Sequence, residues 1–504
     1  MVKTSAVPSM LHNSRSMAQT APHGTIFFIV KVLVNRNLYS KVITMDTLLT
    51  DTTVVTGGVP GQVIRNGALA LRGNSVVEVG ATQDLINRYP NFSRISLPRR
   101  AVIPGFINSH THTTLTVLRG GVEDLGQNIM EVVYGYMVPI IYSMTDGQRR
   151  AMASLGCLEA IRSGTTTVVD PMLAVPSYAD TMADSGLRLY LCESVSDAKA
   201  TEIWAKGYQY ERSWGEASLQ QALDLIDRHH NTLNGRVRCL VSAHAPDSCS
   251  PWILDELADL ARSYGLGRTV HLAQSPQEVE QVKTMTQGRT SAQYLDDHGW
   301  LGPDVLAAHC HWCDSSDINL LGRKGITVVH CAASSSRRGY HRLANVPALI
   351  DAGVNLALGT DNMSENMFDA IRIGIVVNRG MRGDGYNPTP TEVLSWATMN
   401  GARALGRDDL GILAAGKKAD LSVLRLDRPH LTPLLDLTSS LVHYAQASDI
   451  ESVMVDGEWV MRDGEVLTMN ECEVIEDAQQ ATVEAWRSLA QAWPDLSVPV
   501  NLDL

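Results

Sequence analysis

Apolar residues in the middle of the chain form short, strand-like runs that alternate with longer stretches of helical spacing. Eight of these runs end near a polar residue: His112, Asp170, Glu193, His244, His271, His309, His330 and Asp361. Strands that alternate with helices predict a parallel sheet, and eight repeats predict an α/β fold of the (β/α)8 TIM barrel type. We assign residues 104–415 to this barrel. Active sites of such barrels lie at the carboxyl ends of the strands, where these polar residues fall.

Both ends of the chain carry a different pattern, in which β-branched runs are broken by turn residues. The runs cover residues 26–34, 41–45, 53–56, 68–71 and 76–79, and similar runs return at 419–424 and 453–460. Gly73-Asn74 and Asp456-Gly457 are typical of tight hairpin turns. We therefore predict one small β-sandwich domain built from residues 25–103 and 416–470. Residues 1–24 are predicted to be a disordered leader, and 471–504 a tail with an amphipathic helix at 473–493.

The composition is that of an ordinary soluble globular protein, with 44% hydrophobic and 19% charged residues. The formal net charge of −12 argues against a nucleic-acid partner, because phosphate binding relies on clustered lysine and arginine. No run approaches the roughly 20 apolar residues of a membrane span. The 8 cysteines are scattered, which favours a reducing cytoplasm over a disulfide-rich secreted setting. We expect a cytoplasmic protein that acts on a small molecule.

The sequence His110-Thr111-His112 follows the first apolar run of the predicted barrel. Side chains at positions i and i+2 of a strand point to the same side, so both imidazoles can bind one ion. A single histidine on an apolar strand is more often a hydrogen-bonded core residue than a ligand. Here a strand-end aspartate and further histidines supply the remaining ligands that a mononuclear site needs. The pattern therefore predicts a metal-dependent hydrolase.

These segments resemble the amidohydrolase superfamily, in the branch that includes triazine hydrolases, guanine deaminase and S-adenosylhomocysteine deaminase. The resemblance covers nearly all of residues 32–466. It rests on PGFINSHTH at 104–112, SGTTT at 163–167, VHLAQ at 270–274, AHC at 308–310, VHC at 329–331, GTD at 359–361, and LG with GKKADL at 410–421. In combination these motifs are highly specific, whereas each motif alone would be weak.

The resemblance implies four ligands for one divalent metal ion: His110, His112, His271 and Asp361. Zinc is the expected metal, with iron, cobalt and manganese as alternatives. Asp361 would also take a proton from the water that the metal activates, and His309 would stabilise the oxygen that becomes anionic. His244 matches a family histidine that contacts substrate, although a packing role is equally open. We interpret His330 as a scaffold residue rather than part of the pocket wall.

One position departs from the family pattern. Deaminases of this branch usually have His-x-x-Glu on the fifth strand, and Gln274 stands where that glutamate would be. A carboxamide can bind substrate through hydrogen bonds but cannot donate a proton as a carboxylic acid does. Residues 332–335 also differ from the usual Pro and Ser-Asn. Both changes favour a substrate whose electrophilic carbon needs no ring protonation.

We therefore predict cleavage of a non-peptide carbon–nitrogen bond, of amide, urea, carbamate or heteroaryl-amine type, in an apolar or aromatic substrate. The alternative is a ring aminohydrolase or chlorohydrolase of purine-, pterin- or triazine-like compounds. A non-catalytic barrel is a third possibility, but it gives no reason to bury so many converging polar groups.

The pocket is expected to be partly apolar, because Met130, Val133, Tyr134, Tyr136 and Met137 follow the first strand where the family caps its site. Arg337 and Arg338 are expected to be solvated, with anchoring of an anionic group as the minority alternative. The resembling family suggests a homo-oligomer, dimeric or larger, and the helix with Trp486 and Trp493 is a candidate contact surface.

Overall fold

The computed structural model describes residues 46–58, 61–125, 128–339 and 342–494. The predicted leader at 1–24 and the strand-like runs at 26–34 and 41–45 lie outside the described residues, and the predicted domain boundaries remain predictions. In the described part of the chain, no helix has both the length and the apolar character to span a bilayer.

The middle of the chain forms a parallel barrel. Its strands are Phe106–Asn108, Thr165–Met172, Arg188–Val195, Val237–Cys239 with Val241–Ala243, Arg268–Leu272, Val305–His309, Thr327–His330 and Asn355–Leu358. Neighbours along the chain pair in parallel, and each of the eight predicted apolar runs contributes a strand. The last strand closes on the first through the Ser109 amide, which donates to the Leu358 carbonyl at 3.0 Å. The predicted barrel is thus confirmed.

Helices follow the strands and cover the outside of the barrel. The helices of the described chain are Thr82–Arg88, Val138–Ser143, Asp146–Arg162, Ala179–Asp184, Ile203–Lys206, Arg212–His229, Pro251–Tyr264, Pro276–Thr286, Ser291–Asp297, Ser315–Lys324, Ala332–Arg337, Val346–Asp351, Met367–Arg382, Pro390–Trp396, Met399–Ala404, Leu437–His443 and Glu471–Ala492. A π-helix, Glu131–Met137, lies between the first strand and its helices. The inside of the barrel is packed by residues such as Val169, Tyr190, Leu306 and Val329, so it is a filled core below the strand ends.

The two chain ends meet in one mixed sheet, as predicted. Its strand order is Glu465–Val466, Glu458–Arg462, Ile450–Val455, Leu421–Arg425, Arg100–Pro104, Thr47–Val55, Val63–Arg72 and Ser75–Ala81, with Ser93–Ser96 also pairing with Thr47–Val55. Asp456 and Gly457 have φ angles of 52° and 82°, as a type I′ hairpin turn requires. Leu421 pairs with Pro104, so the chain returns to the sheet beside the strand that leads into the barrel.

A buried ion pair joins the barrel to this sheet. The guanidinium of Arg188, at the start of the third barrel strand, donates to both carboxylate oxygens of Asp420 at 2.8 and 3.0 Å. The same guanidinium donates to Asp456 at 3.1 Å. The side chain of Arg188 is only 2% exposed, so its charge depends on these two carboxylates.

The C-terminal helix Glu471–Ala492 packs on the barrel helix Asp146–Arg162. Trp486 is 2% exposed, and its indole N–H donates to the Val117 carbonyl at 2.9 Å. The ring of Trp486 is therefore used inside the chain, and the suggestion that this helix is a contact surface stays a prediction.

Candidate metal centre and pocket

Beyond the ends of the first and last barrel strands, the two chain segments stay hydrogen-bonded to each other. These segments contain three of the predicted ligands. The Asp361 amide donates to the His110 carbonyl at 3.0 Å, and the His112 amide donates to the Asp361 carbonyl at 2.7 Å. Gly359 permits this approach, because a Cβ there would lie 2.6 Å from the His110 carbonyl oxygen. Backbone hydrogen bonds thus fix the separation between the two histidines and the aspartate.

Five predicted side chains converge at the mouth of the barrel. One ligand atom each from His110, His112 and His271 lie within 4.8 Å of one another, and the same holds for His110, His309 and Asp361. His112 Nε2 is 3.3 Å from His271 Nε2 and 3.5 Å from Asp361 Oδ1, and His110 Nε2 is 3.7 Å from Asp361 Oδ1. Tetrahedral zinc with ligand bonds of about 2.0–2.1 Å needs ligand atoms about 3.3–3.4 Å apart. The spacing fits a metal ion.

The chemistry of these donors also fits a metal. His110 is 1% exposed, and within the described chain neither of its ring nitrogens has a hydrogen-bond partner. An unsatisfied buried polar atom costs stability, and a bound cation would satisfy one of these nitrogens. Imidazole and carboxylate together suit zinc and other divalent transition metals.

Burial sets the protonation states that ligands need. It lowers the pKa of His110 well below its usual value, that of His112 to about 3 and that of His309 to about 4, and it also lowers the pKa of His271. Burial alone would raise the pKa of Asp361, but the nearby histidines and the Ser334 hydrogen bond hold it below its usual value. At neutral pH the imidazoles are neutral and the carboxylate is ionised.

Neighbouring groups orient the predicted ligands. The Nδ1–H of His271 donates to the His244 carbonyl at 2.6 Å, which leaves the lone pair on Nε2 facing His112. Asp361 Oδ2 accepts hydrogen bonds from Ser334 Oγ at 2.6 Å and from Asn362 Nδ2 at 3.0 Å. Oδ1 is the oxygen that faces the histidines. Such contacts fix ligand geometry and tune metal affinity.

A pocket of about 700 Å³, including its open part, lies above these ligands. His244 and Gln274, the two predicted substrate-binding residues, both line it, as does His309. Its apolar side consists of Leu115, Ile129, Val133, Met137, Val138, Pro171, Met172 and Leu173. Two of the five predicted capping residues, Val133 and Met137, therefore face the pocket. Tyr136 packs against Trp486 instead, with ring centroids 6.4 Å apart.

Of the two remaining strand-end histidines, His244 lines the pocket and His330 does not. His244 Nδ1 is 2.8 Å from Ser248 Oγ, and burial lowers the pKa of His244 to about 3. His330 lies outside the pocket lining, and its Nε2 accepts a hydrogen bond from Asn378 at 2.9 Å. This contact agrees with the interpretation of His330 as a scaffold residue.

Sequence reasoning missed several pocket residues. His311 lines the pocket beside His309, and its position two residues further on is the same signal that identified His110 and His112. Asn362 carried no signal beyond its place after Asp361. The expectation of a solvated Arg338 is wrong: this residue is 5% exposed and lines the pocket, whereas Arg337 is exposed. The short helix Ala332–Arg337 after the seventh strand turns Arg338 inward.

Comparisons with known proteins agree with this architecture. The model of the amidohydrolase family matches residues 101–460. The chain is 32% identical to a 5'-deoxyadenosine deaminase of Methanosarcina barkeri, over 84% of this chain and 94% of that protein. It is 31% identical to a 5-methylthioadenosine/S-adenosylhomocysteine deaminase of Pelotomaculum thermopropionicum, over 86% and 97% respectively.

Solved structures share the fold. An adenosine deaminase from Xanthomonas campestris with bound zinc has a TM-score of 0.77 and 24% identity, covering 88% of this chain and 98% of that one. A triazine hydrolase variant has a TM-score of 0.77 and 22% identity, covering 87% and 99%. At this level of identity these structures support the fold.

Proposed function

The chain belongs to the amidohydrolase family, and from this premise we propose that it removes an amino group from a small heteroaromatic compound by metal-dependent hydrolysis. The reaction would be R–NH₂ + H₂O → R–OH + NH₃, and in the keto tautomer of the product the hydroxyl hydrogen lies on a ring nitrogen. The observation that carries the proposal is the convergence of five predicted side chains, four of which line one pocket. The names of the relatives, which are aminohydrolases of adenosine-like compounds, favour heteroaryl-amine cleavage over amide or urea cleavage.

His110, His112, His271 and Asp361 would hold one divalent ion, with zinc as the proposed metal because a structural neighbour carries it. When bound, such an ion acidifies water and polarises the electrophile. Asp361, whose Oδ2 is held by Ser334 and Asn362, would accept the water proton and pass it to the leaving nitrogen. Neutral His309 would donate a hydrogen bond to the oxygen that becomes anionic.

Gln274 would position the ring without transferring a proton. Its backbone amide donates to Glu278 at 2.8 Å, and that of Ala273 donates to the same carboxyl group at 2.7 Å, so the segment is fixed from below. The carboxamide can donate a hydrogen bond to a ring nitrogen, but it cannot protonate that nitrogen. The substrate ring must therefore be electron-poor enough for water to attack it without protonation of the ring nitrogen, and Asp361 would be the group that carries the proton.

Metal analysis and ammonia release test the proposal. We expect the purified protein to hold about one transition metal per chain, and the His110→Ala variant to lose both metal and activity. His298→Ala, which changes a surface histidine paired with Asp255, is the control and should retain both. Full activity in a metal-free wild-type protein, or retained metal and activity in the His110→Ala variant, would contradict the proposal.

A panel of leaving groups separates the chemical alternatives. Ammonia release from amino-substituted purines, pyrimidines, pterins and triazines is expected, with little hydrolysis of aryl amides or ureas. In the Gln274→Glu variant we expect faster ammonia release from rings that need protonation, because the carboxyl group can donate a proton. Hydrolysis confined to amides or ureas would instead support the broader carbon–nitrogen hydrolase.

Homo-oligomer formation and a cytoplasmic location remain predictions. Light scattering of the purified protein tests the first, and fractionation of the source cells tests the second.

A further inference from the structure

The charges around the pocket are unevenly distributed. Among the described lining residues, Asp361 in the candidate metal site and Arg338 have the acidic and basic side chains other than histidine. Gln274 is uncharged where the family pattern has a glutamate.

Arg338 stands close to the reacting groups. Its Nη2 donates a hydrogen bond to Asn362 Oδ1 at 3.4 Å. Asn362 in turn donates to Asp361 Oδ2 at 3.0 Å. With 5% exposure, the guanidinium is largely removed from bulk water, which strengthens its attraction for an anion in the pocket.

The pocket is also divided into two sides. The apolar lining comes from the segment after the first strand and from the end of the second strand, and includes Leu115, Met137 and Met172. Polar lining comes from the third to eighth strands, and the part after the sixth and seventh strands holds His311, Ser335 and Arg338. A flat apolar ring with an oxygen-bearing substituent at one end matches this division.

We propose that Arg338 binds an oxyanion on the substrate, so that the substrate is a heteroaromatic amine with a carboxylate or an ionised ring oxygen. This inference rests on the proposed function for the amine, but the anion preference is measured separately. The planar guanidinium presents paired N–H donors that match a carboxylate, and a largely desolvated charge-assisted pair is stronger than a neutral one. The absence of a carboxylate at position 274 removes one source of repulsion for such a substrate.

Binding of two matched probes to the zinc-loaded enzyme tests the inference. Benzoate and benzamide have nearly the same shape and differ in charge, and calorimetry gives their affinities. We expect the wild type to bind benzoate at least tenfold more tightly, and the Arg338→Met variant to lose this preference while its affinity for benzamide changes less than threefold. Arg337→Met, at the neighbouring exposed position, is the control and should keep the preference.

Further variants keep the test decisive if Arg338→Met is unstable. Arg338→Lys keeps the charge and should keep part of the preference, whereas Arg338→Gln keeps hydrogen bonding without charge and should lose it. Equal binding of both probes by the wild type would overturn the inference. So would an unchanged benzoate preference in the Met and Gln variants, since the metal alone would then hold the anion.

Turnover of two matched amines tests whether the anion preference also affects the reaction. We expect ammonia release from 4-aminopyrimidine-5-carboxylate to exceed that from 4-aminopyrimidine in kcat/KM, and the ratio to fall at least tenfold in Arg338→Met. If neither compound releases ammonia although benzoate binding depends on Arg338, the proposed aminohydrolase function fails and the anion site stands. If both compounds react equally in wild type and variant, the anion site fails and the proposed function stands.

Discussion

Replacement of Glu365 tests how the metal ligands are held in place. Glu365 is fully buried below the site and accepts hydrogen bonds from Thr111 Oγ1 at 2.7 Å and from Asn108 Nδ2 at 3.0 Å. Thr111 lies between two proposed ligands, and Thr360, which precedes Asp361, donates to Thr111 at 3.0 Å. The carboxyl group therefore ties the first barrel strand to the last.

The cost of losing this group can be worked from its contacts. In the Glu365→Ala variant two short, buried hydrogen bonds lose their acceptor, and at about 1–3 kcal/mol for each unsatisfied donor the loss is about 2–6 kcal/mol in the free energy of unfolding. Loosened ligands should also weaken zinc binding by about 10–100-fold. Glu365→Gln keeps the shape and one of the two acceptor oxygens, so we expect about half of this loss, about 1–3 kcal/mol.

The protonation state of Glu365 predicts the direction in which stability changes with pH. Burial raises its pKa well above the usual value, so the native state keeps a proton that the unfolded state releases near pH 4.5. Between that pH and the native pKa, wild-type stability should fall as the pH rises. Glu365→Gln cannot ionise, so this pH dependence should disappear in the variant.

Urea unfolding of the zinc-free proteins at pH 5 to 8, together with competition for zinc against a chelator, measures both effects. The reasoning is refuted if Glu365→Ala matches Glu365→Gln in stability and zinc affinity. It is also refuted if Glu365→Gln is as unstable as Glu365→Ala at neutral pH, because the network would then need an ionised carboxylate.

Three further substitutions test other parts of the structure. Asp420→Ala takes one carboxylate from the buried Arg188, so we expect a loss of about 3–5 kcal/mol in urea unfolding, and a loss below 1 kcal/mol would contradict the account of this ion pair. Ser334→Ala removes the 2.6 Å hydrogen bond to Asp361, so zinc affinity or kcat should fall about tenfold or more with little change in Tm. If zinc affinity and kcat are both unchanged, this contact does not orient Asp361. Trp486→Ala removes a buried ring, with an expected loss of about 3–5 kcal/mol in thermal unfolding, whereas a negligible change would mean that the C-terminal helix contributes little to stability.

Much of the fold was predictable because it depends on local patterns. Each of the eight apolar runs became a barrel strand, since a strand buried on both faces needs a continuous apolar stretch. The hairpin at Asp456-Gly457 followed from two residues that adopt positive φ at low cost. The position of the C-terminal helix, predicted at 473–493 and observed at Glu471–Ala492, followed from its period, but its packing partner did not.

The sequence by itself determined which residues stand at strand ends, and hence that His110, His112, His271, His309 and Asp361 would meet, because the carboxyl ends of parallel strands share one mouth of the barrel. Tertiary structure alone decided which remaining side chains face that mouth. Arg338 and its neighbour Arg337 are the same residue type in the same helical turn, yet one lines the pocket and the other is exposed. The lowered histidine pKa values and the raised pKa of Glu365 likewise depend on desolvation, which is produced by residues far apart in the sequence.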